Sequence, residues 1–384
     1  HRDILVFREG GRMEPFNFTV PYPQPYLPRA LSYEIPGRIL SDASEMNPLD
    51  EGRVVEILEE LKAKEVEAIA VCLLWSIINS AHEDRVGELI EQHLPGVPYT
   101  LSNVLNPSLR EYRRASSAAI DASLKPLMSA YMHNLTGRLS DAGFAGRVLI
   151  ATSQGGMMDA SDVAEHPIHL INSGPSMAPV SGRYFAREDE GSDTAVIADT
   201  GGTTYDVSLV RRGRIPWTRE TWIGQPYRGH MTGFPSVDVK SIGAGGGSIA
   251  WVDDGGMLHV GPQSAGAVPG PSCYGQGGDK PTVTDASLVL GYLDPEFFLG
   301  GSMALDLDGA RGAIERDVAG PMGIGLEDAA AAIISIATEN MVQAIVDITV
   351  NQGIDPRDAI LIGGGGAAGL NSTAIGRRLG SERV

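Results

Sequence analysis

Asp199 and Asp206 bracket the run Thr200-Gly201-Gly202-Thr203-Thr204, a pattern suited to holding phosphate. Adjacent glycines carry no Cβ, so their backbone N–H groups can come close to an anion. The hydroxyls of Thr203 and Thr204 can donate to phosphate oxygens. Asp199 is of the type that holds magnesium through water or orients an attacking water. Gly-Gly between two strands is also ordinary tight-turn chemistry, so the flanking acids and the double threonine carry the inference. A second cluster lies downstream: Ile360-Leu361-Ile362 runs into Gly363-Gly364-Gly365-Gly366 and then Ala367-Ala368-Gly369-Leu370-Asn371. A turn made of glycine lets backbone lie flat against a base or sugar, and a helix opening after it favours a nearby anion. Together the two clusters predict two lobes closing on one nucleotide.

The elements that must position these residues are legible in outline. Ala195 to Ala198 reads as a buried strand. Tyr205 to Val210 alternates like a strand with one wet face. Residues 193–252 read as a β-meander, with a further glycine loop, Gly243 to Ser248, next to Asp238 and Lys240. Residues 253–308 are rich in Gly and Pro with little periodicity, as functional insertions often are. An Ala-rich helix is predicted over 327–352, ended by Gly353. Before all of this, residues 49–192 alternate helical and strand patterns, an α/β signature with a largely parallel sheet. Pro126 should kink the long helix there, and Gly143 should cap it. Residues 1–48, rich in Pro and aromatics, read as an extended strap over a domain surface. The expected division is thus 1–48 strap, 49–192 α/β domain, and 193–384 nucleotide lobe with an insertion at about 243–308.

Composition narrows the classes. The chain has 384 residues, 42% hydrophobic and 20% charged, enough for a large core and more than one domain. A net charge of −18 argues against nucleic acid or an anionic membrane as partner. No apolar stretch reads as long enough to span a bilayer. The two cysteines, Cys72 and Cys273, are far apart, which fits a reducing, cytoplasmic compartment rather than a disulfide framework. The chain opens on His1 and stops soon after the tetraglycine, so a piece of a longer protein is expected.

Other residues invite chemistry. His166 and His169 are spaced like a zinc pair, but no third ligand stands out, and exposed loop histidines are the expectation. His230 lies between two loops near Asp238 and is placed to touch substrate. Asp285 either points into a cleft or caps the next helix. Cys273, among small residues, is a nucleophile or a packed thiol.

The order Asp-x-Gly-Gly-Thr-Thr-x-Asp, long helix, strand, Gly-Gly-Gly-Gly resembles the actin/sugar-kinase/heat-shock-protein ATPase superfamily, of ribonuclease H-like α/β fold. More specifically the chain resembles the hydantoinase A/5-oxoprolinase family. That resemblance also runs through Ala68 to Cys72, Arg110-Glu111-Tyr112, Ser173-Gly174-Pro175, Gly243 to Ala250, Gly270-Pro271-Ser272-Cys273-Tyr274-Gly275 and Pro281 to Ala286. It implies ATP- and Mg2+-dependent activation of an unreactive carbonyl. The outcome is opening of a cyclic amide or carboxylation of a ketone such as acetone or acetophenone, with a hydantoinase B-like partner subunit. By position, it implies that Asp199, Gly201, Gly202, Thr203 and Thr204 surround the phosphates. Asp206 then steadies the loop or the metal shell, and Gly363 to Gly366 face adenosine. His230, Asp238 and Asp285 are the substrate-side candidates. Two departures stand out. The family carries another Asp-x-Gly-Gly-Thr loop near its N-terminus, and none precedes the hairpin here. Where many hydantoinase-like members have Phe-Gly-Gly-Ala-Gly-Pro-Leu-His, this chain has Gly-Gly-Gly-Gly-Ala-Ala-Gly-Leu-Asn, which leans toward the ketone carboxylases. The other classes left open are a non-catalytic ATP-dependent activator and a small-molecule kinase.

Overall fold

The computed structural model describes residues 1–9, 14 and 16–384, so residues 10–13 and 15 of the expected strap lie outside the described residues. The chain separates into two compact units. Unit 1 is 1–174 with 217–237, and unit 2 is 175–216 with 238–384. These do not follow the boundaries read at 48 and 192. The strap contributes to unit 1, where Tyr33 and Ile35 pack on the helical core and the Tyr26 hydroxyl meets Ser123 Oγ at 2.7 Å. The stretch read as a continuous meander is interrupted, because 217–237 leaves unit 2 and forms two short antiparallel ladders in unit 1.

Unit 1 begins its α/β pattern with α1 (Glu51–Ala63), β1 (Ile69–Val71), α2 (Ala81–His93) and β2 (Tyr99–Leu101). Asp50 caps α1 by accepting from the Arg53 N–H. Val54, Ile57, Leu58 and Leu61 recur at helical spacing and bury against Val86, Leu89 and Ile90 of α2. Strands β1 and β2 pair in parallel, Ile69 opposite Tyr99. The 31-residue α3 (Glu111–Asp141) runs through Pro126 as one helix. Gly143, at φ +86°, ends it as the sequence predicts. A hairpin of β3 (Leu149–Ala151) and β4 (Met157–Asp159) and the short α4 (Ala160–Glu165) follow.

Unit 2 is a four-stranded sheet with helices on both faces. Helix α5 (Ser173–Glu190) leads into β5 (Ala195–Thr200) and β6 (Tyr205–Val210). Strand β7 (Val239–Ile242) follows, and β8 (Ser248–Val252) and β9 (Leu258–Ser264) make a separate hairpin. Then come α6 (Val283–Val289), α7 (Leu307–Ile314), α8 (Leu326–Gln352), β10 (Ile360–Gly364) and α9 (Ala368–Leu379). The sheet order is β7-β6-β5-β10, with β10 parallel to β5 and the other pairs antiparallel. Met341, Ile345 and Ile348 of α8 and Ile375 of α9 bury against Val196, Val207 and Leu361. On the other face Gly182 of α5 sits so close to Ile197 that a Cβ would stand 2.3 Å from its side chain.

Helix α8 corrects one expectation. By length and composition it is apolar enough to cross a membrane, but half of its most apolar window is buried inside the protein. Its stripe is the core of unit 2.

Asp285 takes the helix-capping role. It is fully buried, completes a capping box with Thr282 at the start of α6, and accepts from the backbone N–H groups of Ser272, Cys273 and Thr282. Its oxygens are therefore engaged in holding the 270–275 loop to the helix rather than facing a cleft. Asp285→Ala should strand several buried donors, and thermal unfolding should show a loss of about 3 kcal/mol. Thr282→Val, which removes the cap hydroxyl and keeps the branched shape, should cost about 1 kcal/mol.

Candidate nucleotide site

Strand register brings the two glycine clusters together. Gly201 N–H donates to Thr204 C=O at 2.9 Å, closing a tight hairpin between β5 and β6. Asp199 pairs across to Asp206, Asp206 to Ser241 on β7, and Gly364 on β10 to Asp199. One rung of the sheet thus reads Gly364–Asp199–Asp206–Ser241. The two glycine clusters, expected on two lobes, both lie in unit 2, because the tetraglycine strand is the parallel neighbour of the strand that carries Asp199.

The remaining pieces lock the rung's outer end. Gly365 adopts φ +85°, and a Cβ there would stand 2.4 Å from both Asp199 Oδ1 and the Thr200 carbonyl oxygen. Ala367 N–H donates to Thr200 C=O at 3.1 Å, which seats the start of α9 beside the hairpin. The Thr200 hydroxyl and the Asn371 side chain meet at 3.3 Å. The third glycine loop backs the turn: Gly246 N–H donates to Gly201 C=O at 3.1 Å and Gly247 N–H to Gly202 C=O at 2.6 Å. A Cβ on Gly245 would lie 2.7 Å from the Gly201 and Gly202 backbone. Gly202, Thr203 and Thr204 are exposed, as a ligand-facing turn requires. A narrow cleft beside it is lined by Thr200, Gly245, Thr338, Met341, Ala367 and Asn371. Thr338 and Met341 on α8 were not foreseen as site residues. In the sequence Met341 is one more position on the helix's apolar stripe and Thr338 lies beside it, with nothing local to set either apart.

Two carboxylates opposite each other on neighbouring strands repel, and a cation between them relieves that repulsion. Burial pushes the Asp206 carboxyl above the ordinary aspartate range; the hydroxyls of Ser241 and Thr204 offset part of this and the Asp199 charge adds to it. Its Oδ2 accepts from Thr204 Oγ1 at 3.3 Å, whereas Oδ1 is buried without a partner among the described residues. An orphaned carboxylate oxygen of this kind fits a Mg2+ ion that takes one or two carboxylates and completes its shell with water and phosphate. Among the described residues no cluster of three or more His, Cys, Asp or Glu forms a metal cage.

A pH dependence follows. A raised carboxyl pKa means that the folded chain holds its proton at pH values where the unfolded chain has released it. Stability therefore falls as pH rises from the ordinary aspartate range through the raised value. Asp206→Asn should stabilise the ligand-free protein at neutral pH and flatten that slope in pH-dependent thermal melts. The same variant should weaken Mg2+-nucleotide binding.

Of the substrate-side candidates, Asp238 and Asp285 belong to unit 2 but not to this rung. Asp238 is half-buried in unit 2 and accepts from Gln352 Nε2 at 3.3 Å. It precedes Val239, which pairs with Ser208, so the register sets it about 10 Å along the strand from Ser241. Next to it, Lys240 is ion-paired with Asp347 of α8. His230 belongs to unit 1 and stands edge-on to Tyr26 at 5.2 Å. Cys273 is a packed thiol, fully buried, and burial raises its pKa far from the thiolate range. Cys72 is likewise pushed up to about 11 by burial. His169 is no bare loop histidine: its Nδ1 meets Gln154 Oε1 at 2.7 Å and its ring stands edge-on to Phe234.

Comparison with known proteins agrees with this architecture. The hydantoinase/oxoprolinase family model matches residues 114–384, and the model of that family's N-terminal region matches residues 1–94. The alpha subunit of caprolactamase from Pseudomonas jessenii is 38% identical over 386 residues, covering 100% of this chain and 55% of the relative. The gamma subunit of acetophenone carboxylase from Aromatoleum aromaticum is 38% identical, covering 96% and 51%. The crystal structure of the ATP-dependent caprolactamase from Pseudomonas jessenii superposes with a TM-score of 0.84 at 37% identity, over 100% of this chain and 55% of that one. A nucleotide-free acetone carboxylase structure gives 0.78 at 26% identity, over 95% and 51%. The chain spans about half the length of these relatives. With over two-thirds of its length under the main family model, the chain belongs to the hydantoinase/oxoprolinase family.

Proposed function

We propose that this chain is the ATP-gripping part of an enzyme subunit that activates an unreactive carbonyl in a small molecule, with a cyclic amide as the first substrate class and a ketone as the second. The observation that carries the reading is the rung Gly364–Asp199–Asp206–Ser241, closed by a glycine turn that a second glycine loop backs. Relatives described as an ATP-dependent caprolactamase and as ketone carboxylase subunits support both substrate classes. The lactam is favoured by the fuller coverage and higher TM-score of the caprolactamase. The sheet order, with its parallel last strand, supports an actin-type ATPase lobe.

An amide or enolate oxygen is a poor leaving group until it is phosphorylated. ATP with Mg2+ would supply that phosphoryl group and the charge to stabilise its transfer. The chain's own residues would do the rest. Gly201 and Gly202 offer backbone N–H groups and a surface free of Cβ. Thr203 and Thr204 donate hydroxyls. Asp199 and Asp206 would hold the metal and its waters. Gly363 to Gly366 and the start of α9 would flank the adenosine side. A hydantoinase B-like subunit completes the site in this reading, and two free cysteines fit the reducing cytoplasm.

The test uses the full-length protein with its partner subunit, Mg-ATP and a panel of lactams, hydantoins and ketones. Phosphorus NMR and product chromatography should show ATP turnover rising with one substrate and matching its conversion. Slow turnover with no altered small molecule would instead indicate an activator, and a stable phosphorylated product a kinase.

A further inference from the structure

We propose that Ser208 belongs to the metal end of the phosphate site, where its hydroxyl holds a water carried by the divalent cation that Asp199 and Asp206 bind. The inference rests on the reading of the rung Gly364–Asp199–Asp206–Ser241 as part of an ATP grip. It adds to that grip a residue that lies off the rung and outside both glycine clusters.

Strand alternation puts Ser208 on the same face of the sheet as the acids. Tyr205, Val207 and Leu209 of β6 pack into the core under α8 and α9. Asp206, Ser208 and Val210 therefore face the other way, where Val210 packs with Ile197 of β5 and Ala186 of α5. Across the ladders Ser208 pairs with Ile197 and Val239, which makes it the next rung on that face. Helix α5 covers both rungs. The link 191–194 turns the chain back, so α5 runs antiparallel to β5, and its buried residues Ser176, Pro179, Gly182 and Ala186 face the sheet. Gly182 lies on Ile197. Ser176, six residues earlier and fully buried, stands about 9 Å nearer the glycine turn, over the level of Asp199 and Asp206.

Beneath this cover two polar atoms have no partner among the described residues, Asp206 Oδ1 and Ser208 Oγ. Ser208 is 1% exposed. Tyr205 of the same strand also has an unpartnered hydroxyl, but it lies on the α8 face and cannot contribute. A buried hydroxyl without a partner destabilises a fold, and the flanking positions on this face, Ile197 and Val210, are apolar. Ser208 is therefore the exception that needs an explanation. The Asp206 carboxylate turns Oδ2 to the Thr204 hydroxyl at the turn, which leaves Oδ1 for another partner. Positions two apart on a strand stand about 6.6 Å from each other along the backbone, too far for a direct bond between these short side chains. A hydrated cation spans that gap. Asp206 Oδ1 ligates the ion, and Ser208 Oγ accepts from a water in its shell. Mg2+ suits this arrangement, because it takes one or two carboxylates and keeps several waters. Asp199 opposite Asp206 brings a second negative charge, which favours a cation here over a neutral water alone.

The test is calorimetric binding of a non-hydrolysable ATP analogue to the full-length protein over a series of Mg2+ concentrations. Ser208→Ala should raise the half-saturating Mg2+ concentration about 10-fold, the scale on which groups behind a metal's direct ligands act. The melting temperature without Mg2+ should not fall, because the hydroxyl it removes has no partner there. In the Asp206→Asn background, where the ion has lost its ligand, the same change should have no further effect. An unchanged Mg2+ requirement in Ser208→Ala would overturn the inference. So would an equal 10-fold rise in the Asp206→Asn background, which marks a hydroxyl acting on the fold alone. If Asp206→Asn itself leaves the Mg2+ requirement unaltered, the ATP-grip reading fails and this inference falls with it.

Discussion

Asp199→Ala in the full-length protein is expected to lower substrate-stimulated ATP turnover by about 1,000-fold, the scale at which loss of one preorganised charge acts on phosphoryl transfer. The folded state should survive. Asp199 is only half-buried, and no side-chain hydrogen bond or ion pair among the described residues depends on it. Removing it also relieves its repulsion with Asp206 across the rung. Circular dichroism and thermal melting should therefore match the parent protein while turnover collapses. Asp199→Asn keeps the size and removes the charge, and should behave the same way. If either variant retained full turnover, the acid pair would be ordinary strand chemistry and the proposed site would be wrong.

Gly365→Ala should be the most damaging single methyl in the tetraglycine. Its φ of +85° is unfavourable for any side chain, and the new Cβ would press on Asp199 Oδ1 and the Thr200 carbonyl at 2.4 Å. Left-handed backbone plus backbone overlap should cost about 2 kcal/mol or more of stability. The hairpin must also shift to make room, so nucleotide affinity should fall with it. The neighbouring Gly366→Ala meets nothing within 4 Å and is not left-handed, so it should leave the melting temperature unchanged. Calorimetric nucleotide titration of the two variants side by side separates the effects. An equal stability loss in both would show that the contact with Asp199 is not what makes Gly365 special.

Much of this site was legible because its signals are local. The run from Ala195 to Val210 announces a hairpin through burial pattern and turn chemistry alone, and the structure places both strands within the predicted stretch. The strand before the tetraglycine, the helix ending at Gly353 and the cap at Gly143 were readable for the same reason. What escaped was whatever depends on long-range pairing. Nothing near Ile360 states that its parallel neighbour is Ala195, so two neighbouring strands of one sheet read as parts of two lobes. Asp238 and Asp206 look alike in sequence, and only the register shows that one lies on the rung and the other well along the strand. Asp285 offered two roles because a capping carboxylate and a cleft carboxylate share the same neighbours in sequence. Burial and four donors decide between them. The excursion of 217–237 carries no composition change that would mark it.

The pairing of β10 with β5 has a consequence for biosynthesis. During translation, β5 and β6 leave the ribosome long before their neighbour exists. At about 5–20 residues per second the wait lasts on the order of 10 s. For that interval the apolar β5 presents a bare flank to solvent, and the nascent chain is at its most prone to wrong association. Slow codons or a chaperone acting between residues 210 and 360 would govern yield more than any change to the finished protein, and overexpression trials should vary those first.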